Sequence, residues 1–470
     1  MKILIMGAGR IGASVAESLV SEANDITVID LDADKIAYLQ SRFDLRGIVG
    51  DATSPAVLKE AGAEDTDMLL AVSSRDESNL VVCLLAARLF NIPTRIARVR
   101  NSELRNFPRI LKEEGFETTA VIWPEQALTD YLIKLIDIPE ALQVQEFGEG
   151  AANLIAVKAE AGSPMIGGTA NELQAHIPKA RAKIVAIFRN GRPLELTDRT
   201  LIAPNDEVVF ICTPEHARLV TTQLRRRQEP ARRLILAGGA VTTKELVESI
   251  CKKGVLRNPI PDTICVLEPD PIQAERLSRE LKSHAIVLEG DFDDEDMLIS
   301  AGVEMCDLFI SLSDDDENNI LSGLLAKKLG AKRTIALVNR KVYGELIEGS
   351  KIDVTVSQTQ AALDELIQFV RKGDITAAYT LRHGIAEAME IVAHGDKHSS
   401  KVVGRTVAHI PLPPGCSIAA VLRGCGEEAE ILTADATLEI QSEDHVIVFV
   451  PSRRLIPKVE RIFTVNIGFF

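Results

Sequence analysis

The first residues that could carry chemistry are three glycines, Gly7, Gly9 and Gly12, spaced G-x-G-x-x-G after the apolar segment KILIM. Between a strand and a helix, this spacing allows a tight turn, close backbone approach to a phosphate and close helix–strand packing. The N-terminus of the following helix would offer free N–H groups to a pyrophosphate. Asp30 ends the next apolar segment, where a carboxylate accepts from ribose hydroxyls and disfavours a 2′-phosphate. The pattern predicts a site for NAD-type or adenine nucleotides.

Further candidate residues follow the later strands, because ligands of doubly wound sheets bind at the carboxyl ends of the strands. Asp51 and Ala52 end the third strand, Ser73 and Ser74 follow the fourth, and Arg98 lies in the fifth. An arginine there would neutralise phosphate charge, although it could also be a solvated cation, and Asp51 could serve only as a turn or capping residue. The complete first site is predicted to comprise Gly7, Ala8, Gly9, Arg10, Ile11, Gly12, Asp30, Asp51, Ala52, Ser73, Ser74 and Arg98.

The same pattern begins again past the midpoint of the chain, in altered form. Gly238 keeps the first glycine and Gly239 follows it, but Ala240 and Thr243 stand where the second and third glycines are expected. A methyl group at the second position obstructs the approach of a pyrophosphate. The β-branched Thr243 at the third position is expected to crowd the contact between helix and strand. Glu268 stands at the acidic position for the ribose. Gly238, Gly239, Ala240 and Glu268 are therefore candidates for a second nucleotide site that is either altered or vacant.

The elements that must position these residues alternate between strands and helices. KILIM, DITVID, DMLLAV and TRIARV are β-rich, and the segments between them have helical periodicity. This alternation implies parallel strands with right-handed crossovers. Gly238 lies 231 residues after Gly7, whereas Asp291 lies 240 residues after Asp51 and Asn319 lies 240 residues after Asn79. The second half therefore contains an insertion, which we place at GVLRNPIPD.

Each of these units is followed by an apolar helical stretch and a small β-rich segment, so an entire unit is duplicated. We predict an α/β protein with two tandem Rossmann-like doubly wound domains, each followed by a crossover helix and a small α+β module. The predicted Rossmann domains are 1–123 and 229–356, the crossover helices 124–146 and 357–376, and the small modules 147–228 and 377–470.

Composition narrows the classes of function. A net charge of −15 and an aromatic content of 4% disfavour nucleic-acid binding. The seven cysteines are scattered without a CxxC pair, which favours a reducing compartment. Neither a signal peptide nor a membrane-spanning segment is recognisable, so we expect a soluble, cytoplasmic protein.

The acidic segment Ser313–Ile320 contains four consecutive acids where a helix is expected to start. Acidic side chains there suit the helix dipole, which favours a solvated helix cap. A cation site at Asp314–Glu317 is the alternative.

Catalytic motifs are absent from the sequence. It contains no HExxH, GxSxG or P-loop pattern, and none of its eight histidines lies in a recognisable catalytic setting. A nucleotide site without attached chemistry indicates a sensor rather than an enzyme.

The strings MKILIMGAGRIG, GDATSP and LLAVSSRDESN, within a duplicated unit that includes the β module, resemble the TrkA-type regulatory proteins of bacterial Trk potassium uptake. That family is built from RCK (KTN) nucleotide-binding domains and TrkA C-terminal modules, and the resemblance covers essentially all 470 residues. It implies a cytosolic subunit, peripheral on the inner face of the cell membrane, that gates a TrkH-type potassium-translocating partner. It also implies a homo-oligomer, typically a tetrameric ring, with NAD(H) and ATP or ADP as regulatory ligands.

The resemblance assigns nucleotide binding in the first half to Gly7–Gly12, Asp30, Asp51, Ser73, Ser74 and Arg98. The second half departs from the glycine pattern. We hypothesise in addition that the helices after Pro124 and Ser357 pack across subunits and transmit movement to the membrane partner. Two alternatives stay open at this point. One is an NAD-dependent oxidoreductase, and the other is a regulatory subunit of a different cation transporter.

Overall fold

The computed structural model describes residues 1–20, 24–112, 114–197, 199–347, 349–370, 375–382, 384–424 and 430–465. The chain forms two compact units, one of Met1–Leu128 with Val356–Leu366 and one of Thr129–Thr355 with Ile367–Phe470. The predicted second crossover region, 357–376, includes residues 371–374, which lie outside the described residues. Among the helices described, none is both long enough and apolar enough to cross a bilayer.

The first unit contains a six-stranded parallel sheet in the order β3-β2-β1-β4-β5-β6. Its strands are β1 Lys2–Met6, β2 Asp25–Asp30, β3 Arg46–Val49, β4 Met68–Ala71, β5 Thr94–Arg98 and β6 Ala120–Ile122. Its helices are α1 Arg10–Val20, α2 Ala33–Arg42, α3 Pro55–Glu60, α4 Asp76–Phe90, α5 Pro108–Leu111 and the first residues of α6 Pro124–Asp137. All four residues of β4 are buried, as expected for a central strand covered on both faces. The strand order reverses between β1 and β4, which places the ends of these two strands at the crevice of the sheet.

The second unit begins with the rest of α6 and a small antiparallel sheet in the order β10-β9-β11-β8-β7. Its elements are β7 Ala141–Phe147, β8 Ala152–Lys158, α7 Leu173–His176, β9 Ala182–Arg189, β10 Arg192–Pro193, β11 Glu207–Cys212 and α8 Ala217–Leu224. Asn190 and Gly191 both have positive φ and form the turn between β9 and β10. An Asn-Gly pair in that conformation is typical of a hairpin turn.

A second doubly wound sheet follows, in the order β14-β13-β12-β15-β16-β17. Its strands are β12 Arg233–Ala237, β13 Thr263–Glu268, β14 Ile286–Glu289, β15 Leu308–Ser311, β16 Arg333–Leu337 and β17 Val354–Val356. The helices are α9 Ala240–Ile250, α10 Pro271–Leu281, α11 Glu295–Ser300, α12 Asp316–Leu329, α13 Lys341–Leu346 and then α14 Gln358–Val370. Most of the extra length of this half lies between α9 and β13, where the sequence predicts it.

The last module repeats the antiparallel topology, in the order β18-β19-β22-β20-β21. Its elements are β18 Ile375–Leu381, β19 Ala386–Ala393, β20 Ser417–Arg423, β21 Glu430–Thr433, β22 Asp444–Val450 and α15 Ile456–Phe463. The two small modules share one apolar core, in which Phe147 and Phe188 of the first lie with Ile447 and Phe449 of the second. The architecture confirms the predicted tandem fold of doubly wound domains and small modules.

The crossover helices exchange partners within the chain. Arg333, at the start of β16, donates from its guanidinium to the main-chain oxygens of Leu135, in α6, and Ala141, at the start of β7. In the first unit, Trp123 N donates to Glu365 Oε2 of α14. The crossover helix of each half therefore packs against the Rossmann domain of the other half.

Candidate functional site

The glycine turn follows β1 at the crevice. Gly7 has a φ of +104°, and its N–H donates to Ile29 O at 2.8 Å. A Cβ atom on Gly12 would lie 1.8 Å from Gly7 O, so only glycine fits there. A Cβ atom on Gly9 would meet no heavy atom within 4 Å. Glycine at position 12 thus allows the first turn of α1 to pack against the main chain at Gly7, while the backbone at Gly9 borders open space.

Asp30 at the end of β2 connects that strand to the turn. Its Oδ2 accepts from Ala8 N at 2.6 Å, and its Oδ1 accepts from Asp32 N at 2.9 Å. Each carboxylate oxygen has more than one lone pair, so both can still accept from a ligand hydroxyl. The structure therefore brings the predicted ribose carboxylate within hydrogen-bond distance of the predicted phosphate turn.

Asp51 lies in a local turn after β3. Its Oδ1 accepts from Thr53 N at 2.9 Å and from Thr53 Oγ1 at 2.7 Å. These hydrogen bonds hold the pKa of Asp51 below its usual range. Asp51 is exposed and Ala52 is buried. The turn function, which was one of the two interpretations of Asp51, accounts for these contacts.

The loop after β4 is held by Asn79, a residue that sequence reasoning used only to align the halves. Asn79 is fully buried, and its Oδ1 accepts from Ser73 N at 3.0 Å and from Ser73 Oγ at 2.7 Å. Its Nδ2 donates to the main-chain oxygens of Ser73 and Arg98. Ser74 is exposed. Asn79 therefore fixes the ends of β4 and β5, which carry two of the predicted site residues.

Arg98 belongs to a charged cluster with Arg100 and Glu125. Glu125 Oε1 lies 3.7 Å from Arg98 Nη2 and 3.0 Å from Arg100 Nε. The side chains of Arg98 and Glu125 are 14% and 4% exposed. Burial lowers the pKa of Arg98, the Glu125 charge raises it, and the charges of Arg100 and Arg10 lower it further. Arg10, the first residue of α1, is thus close enough for its charge to act on Arg98.

Each member of the Arg98–Glu125 pair retains an unused polar atom. Arg98 Nε and Glu125 Oε2 are buried and have no hydrogen-bond partner among the described residues. Glu125 is the second residue of α6. In the sequence it resembles any acidic residue in the first turn of a helix, where the helix dipole favours negative charge. No signal in the sequence therefore linked Glu125 to the site.

The glycine turn of the second half has a different geometry. Two residues, Gly238 and Gly239, separate β12 from α9, whereas three separate β1 from α1. Ala240 is consequently the first helical residue and lies outside the turn. Thr243, which the sequence comparison aligns with Gly12, is buried and donates from Oγ1 to Gly238 O at 2.6 Å. The threonine is accommodated through this hydrogen bond, so it does not crowd the helix in the way that the sequence suggested.

An aromatic ring lies against the second turn. A Cβ atom on Gly238 would lie 3.1 Å from Cε1 of Phe292, which is 6% exposed and occupies the position that Ala52 has in the first half. Glu268 is 7% exposed, and its Oε1 accepts from Asp270 N at 3.2 Å. Burial raises the pKa of Glu268. The second turn at Gly238 is thus packed by the side chains of Phe292 and Ser313, whereas the atoms nearest to Gly7 in the first turn are main-chain atoms of Val72 and Ser73.

The acidic segment before α12 forms caps and loop contacts. Asp315 Oδ1 accepts from Asn318 N at 2.9 Å, and the carboxylate of Asp316 accepts from the main-chain N–H groups of Asn339 and Arg340. Glu317 accepts from Arg340 and Tyr343. Within the described residues, no group of three or more His, Cys, Asp or Glu side chains could hold a metal ion. The contacts support the capping interpretation.

Comparisons with known proteins agree with this architecture. The TrkA-N domain family matches residues 3–122 and 234–358, and the TrkA-C domain family matches residues 154–225 and 396–464. The chain is 40% identical to the Trk system potassium uptake protein TrkA of Vibrio alginolyticus, over 98% of each chain. It is also 40% identical to the protein of that name from Halomonas elongata, over 100% of each chain.

Solved structures share the fold. The GsuK RCK domain matches with a TM-score of 0.60 at 17% identity, covering 98% of this chain and 94% of that one. The GsuK channel bound to NAD matches with a TM-score of 0.59 at 18% identity, covering 98% of this chain and 79% of that one.

Proposed function

The chain belongs to the Trk system potassium uptake protein TrkA family, and from this premise we propose that it is a nucleotide-sensing regulatory subunit of a potassium uptake system. The nucleotide, NAD(H) or ATP/ADP, binds in the first half. A TrkH-type membrane protein that moves potassium is the partner, and the chain acts at the cytoplasmic face of the membrane.

The observation that carries the proposal is the open glycine turn. The backbone at Gly9 has free space around it, and Asp30 hydrogen-bonds to Ala8 within the same turn. A pyrophosphate at Gly7–Gly12 would receive the N-terminal N–H groups of α1, while Asp30 accepts from a ribose. The structure of the GsuK channel with NAD supports a nucleotide of this class in such a fold.

Arg98 and Arg10 supply positive charge for the phosphates. Arg98 is nearly buried beside Glu125, and its Nε has no hydrogen-bond partner among the described residues. A phosphate oxygen would therefore satisfy an otherwise unpaired donor. Asp51, Ala52, Ser73 and Ser74 would border the nucleotide from the ends of β3 and β4. Binding at Arg98 would change its ion pair with Glu125 and so act on α6.

We propose that the second half binds no nucleotide. Phe292 packs against the turn at Gly238, the turn is one residue shorter, and Ala240 is helical. Glu268 is buried and has no cationic partner among the described ion pairs. The duplicated domain would then serve assembly and transmission rather than sensing.

Exposed apolar side chains support assembly into a ring, for which a tetramer is our proposal. The first half exposes Val81 and Phe107, and the second exposes Leu321 and Leu346 at the corresponding positions. Their exposed fractions lie between 38% and 73%, so these apolar side chains are available to contact a second copy of the chain. The recurrence of exposed apolar side chains at corresponding positions of both halves suits contacts that repeat around a ring.

Calorimetry with NADH, NAD, ATP and ADP on the purified full chain tests the proposal. We expect one nucleotide per chain, a loss of binding in Asp30→Ala, no change in Glu268→Ala and no turnover of the nucleotide. Binding that survives in Asp30→Ala, or two nucleotides per chain, would contradict the site assignment. Oxidation of NADH with a substrate would favour an oxidoreductase instead.

A further inference from the structure

A cavity of about 230 Å³ lies in the second unit, remote in sequence from the glycine turn. It is lined by the end of α6, by β7, β8 and α8 of the first small module, and by Arg257 and Asn258. These last two residues belong to the insertion that lengthens the second Rossmann domain. The volume is equivalent to several water molecules, at about 30 Å³ each, and would admit a small ion.

The insertion is fixed in place at this cavity. Asp137 Oδ1 accepts from the main-chain N–H groups of Arg257 and Asn258 at 2.9 and 3.0 Å. Asn258 Nδ2 donates to Asp137 O at 2.6 Å, and Asn258 Oδ1 accepts from Arg218 Nη2. Asn258 is 9% exposed. These bonds fix the backbone of Arg257, whose exposed side chain forms part of the cavity lining.

The carboxylates of the lining are already engaged. Glu146 Oε2 pairs with Lys134 Nζ at 2.9 Å, and Asp137 accepts the two main-chain N–H groups of the insertion. The side chain of Glu215 is 75% exposed and lies beside His216. The lining contains equal numbers of acids and bases, but its acids are neutralised, hydrogen-bonded or solvated.

Two guanidinium groups of the lining have no carboxylate partner. Among the described residues, Arg218 has only the amide oxygen of Asn258, and the Arg257 side chain has neither an ion pair nor a hydrogen bond. Other arginines of this unit differ, since Arg189 pairs with Asp206 and Arg423 with Asp444. Guanidinium forks bind tetrahedral oxyanions through paired N–H groups.

A buried acceptor completes the lining. Asn153 is 3% exposed, and its Oδ1 has no hydrogen-bond partner among the described residues. Hydrogenphosphate carries both negative oxygens for the arginines and one O–H donor for such an acceptor. We propose that this cavity binds a small tetrahedral oxyanion of the phosphate type between Arg218 and Arg257, and that the hydroxyl of this anion donates a hydrogen bond to Asn153 Oδ1.

Binding of inorganic phosphate to the full chain, measured by calorimetry in a phosphate-free buffer, tests the site. We expect one phosphate per chain, at least tenfold weaker binding in Arg257→Gln, and unchanged binding in Arg192→Gln. Arg192 is a matched control because it is an exposed arginine on β10, outside the cavity lining. Sulfate lacks the hydroxyl at neutral pH and should bind more weakly than phosphate.

The variant Gly9→Val distinguishes phosphate binding at this cavity from phosphate binding at the proposed nucleotide site. It should abolish nucleotide binding and leave phosphate binding intact. The proposal is overturned if Arg257→Gln binds phosphate as the wild type does, or if Gly9→Val removes the phosphate signal. Asn153→Leu gives a second check that leaves both arginines in place, and it should abolish the preference for phosphate over sulfate.

Discussion

Arg98 Nη2 lies 3.7 Å from Glu125 Oε1, and this contact joins the carboxyl end of β5 to the first turn of α6. Both side chains are nearly buried, and each has one polar atom without a hydrogen-bond partner among the described residues. A buried ion pair of this kind is held at a considerable cost in desolvation. A ligand whose anionic group interacts more favourably with Arg98 can therefore separate Arg98 from Glu125.

Glu125→Gln should tighten nucleotide binding, because a phosphate would no longer compete with a carboxylate for Arg98. If the attraction between Glu125 and Arg98 opposes nucleotide binding by about 1 kcal/mol, its removal lowers the Kd about fivefold. Calorimetry with ADP measures the change. Glu103→Gln, an exposed acid after β5, is the control and should bind as the wild type does. Weaker binding in Glu125→Gln would show that the pair positions Arg98 rather than restrains it.

Two glycines of the same turn should respond differently to alanine. Gly9→Ala places a methyl group in open space, so the protein should fold normally and lose at least tenfold in nucleotide affinity. Gly12→Ala places a Cβ atom 1.8 Å from Gly7 O and should destabilise the first unit by about 3 kcal/mol. Thermal unfolding and calorimetry on the same samples separate the effects. Equal melting temperatures for both variants would contradict the assigned functions of the glycines.

The geometry of the first candidate site could largely be predicted from the sequence, because the pattern that predicts it is local. Gly7, Gly9 and Gly12 occur within one turn, and Asp30 ends an apolar segment, so strand–turn–helix chemistry identifies them without tertiary contacts. The strand order and the duplication follow from the same periodic pattern. Local patterns could not reveal Glu125, which meets Arg98 only after the chain has folded.

In the second half, the packing around the glycine turn could not be predicted from local sequence patterns. The loss of two glycines indicated an altered site, but the packing of Phe292 against Gly238 depends on a contact between distant segments. The glycine spacing predicts that Ala240 lies in the turn, but α9 begins one residue sooner after its strand than α1 does. Thr243 was expected to crowd the helix, and its hydrogen bond to Gly238 O removes that conflict.

Asn79→Ala should destabilise the first unit, since it leaves the N–H of Ser73 and the main-chain oxygen of Arg98 without partners in a buried position. We expect a loss of about 2 kcal/mol and weaker nucleotide binding. Asn319 makes the same contacts to Ser313 and Leu337, so Asn319→Ala is a matched control. It should cost similar stability and leave nucleotide affinity unchanged. Reduced affinity in Asn319→Ala would indicate a ligand in the second half.

Glu268→Gln should stabilise the protein at neutral pH. Burial raises the pKa of Glu268 in the folded chain above its ordinary value of 4.5, so the ionised form is favoured by the unfolded chain. The resulting penalty is absent below pH 4.5, grows as the pH rises from there to the folded-state pKa, and stays constant at higher pH. Glutamine keeps the oxygen that accepts from Asp270 N and removes the charge.

Melting temperatures of wild type and Glu268→Gln between pH 4 and pH 8 measure this difference. The variant should melt higher at pH 7, and the two curves should converge toward pH 4. Glu289→Gln provides a control, because Glu289 is an exposed acid at the end of the adjacent β14 and should give parallel curves. A higher melting temperature for wild type at pH 7 would contradict this prediction. It would mean that the folded protein stabilises the Glu268 carboxylate as an anion, as expected if Glu268 still binds a cationic or hydroxyl-bearing ligand.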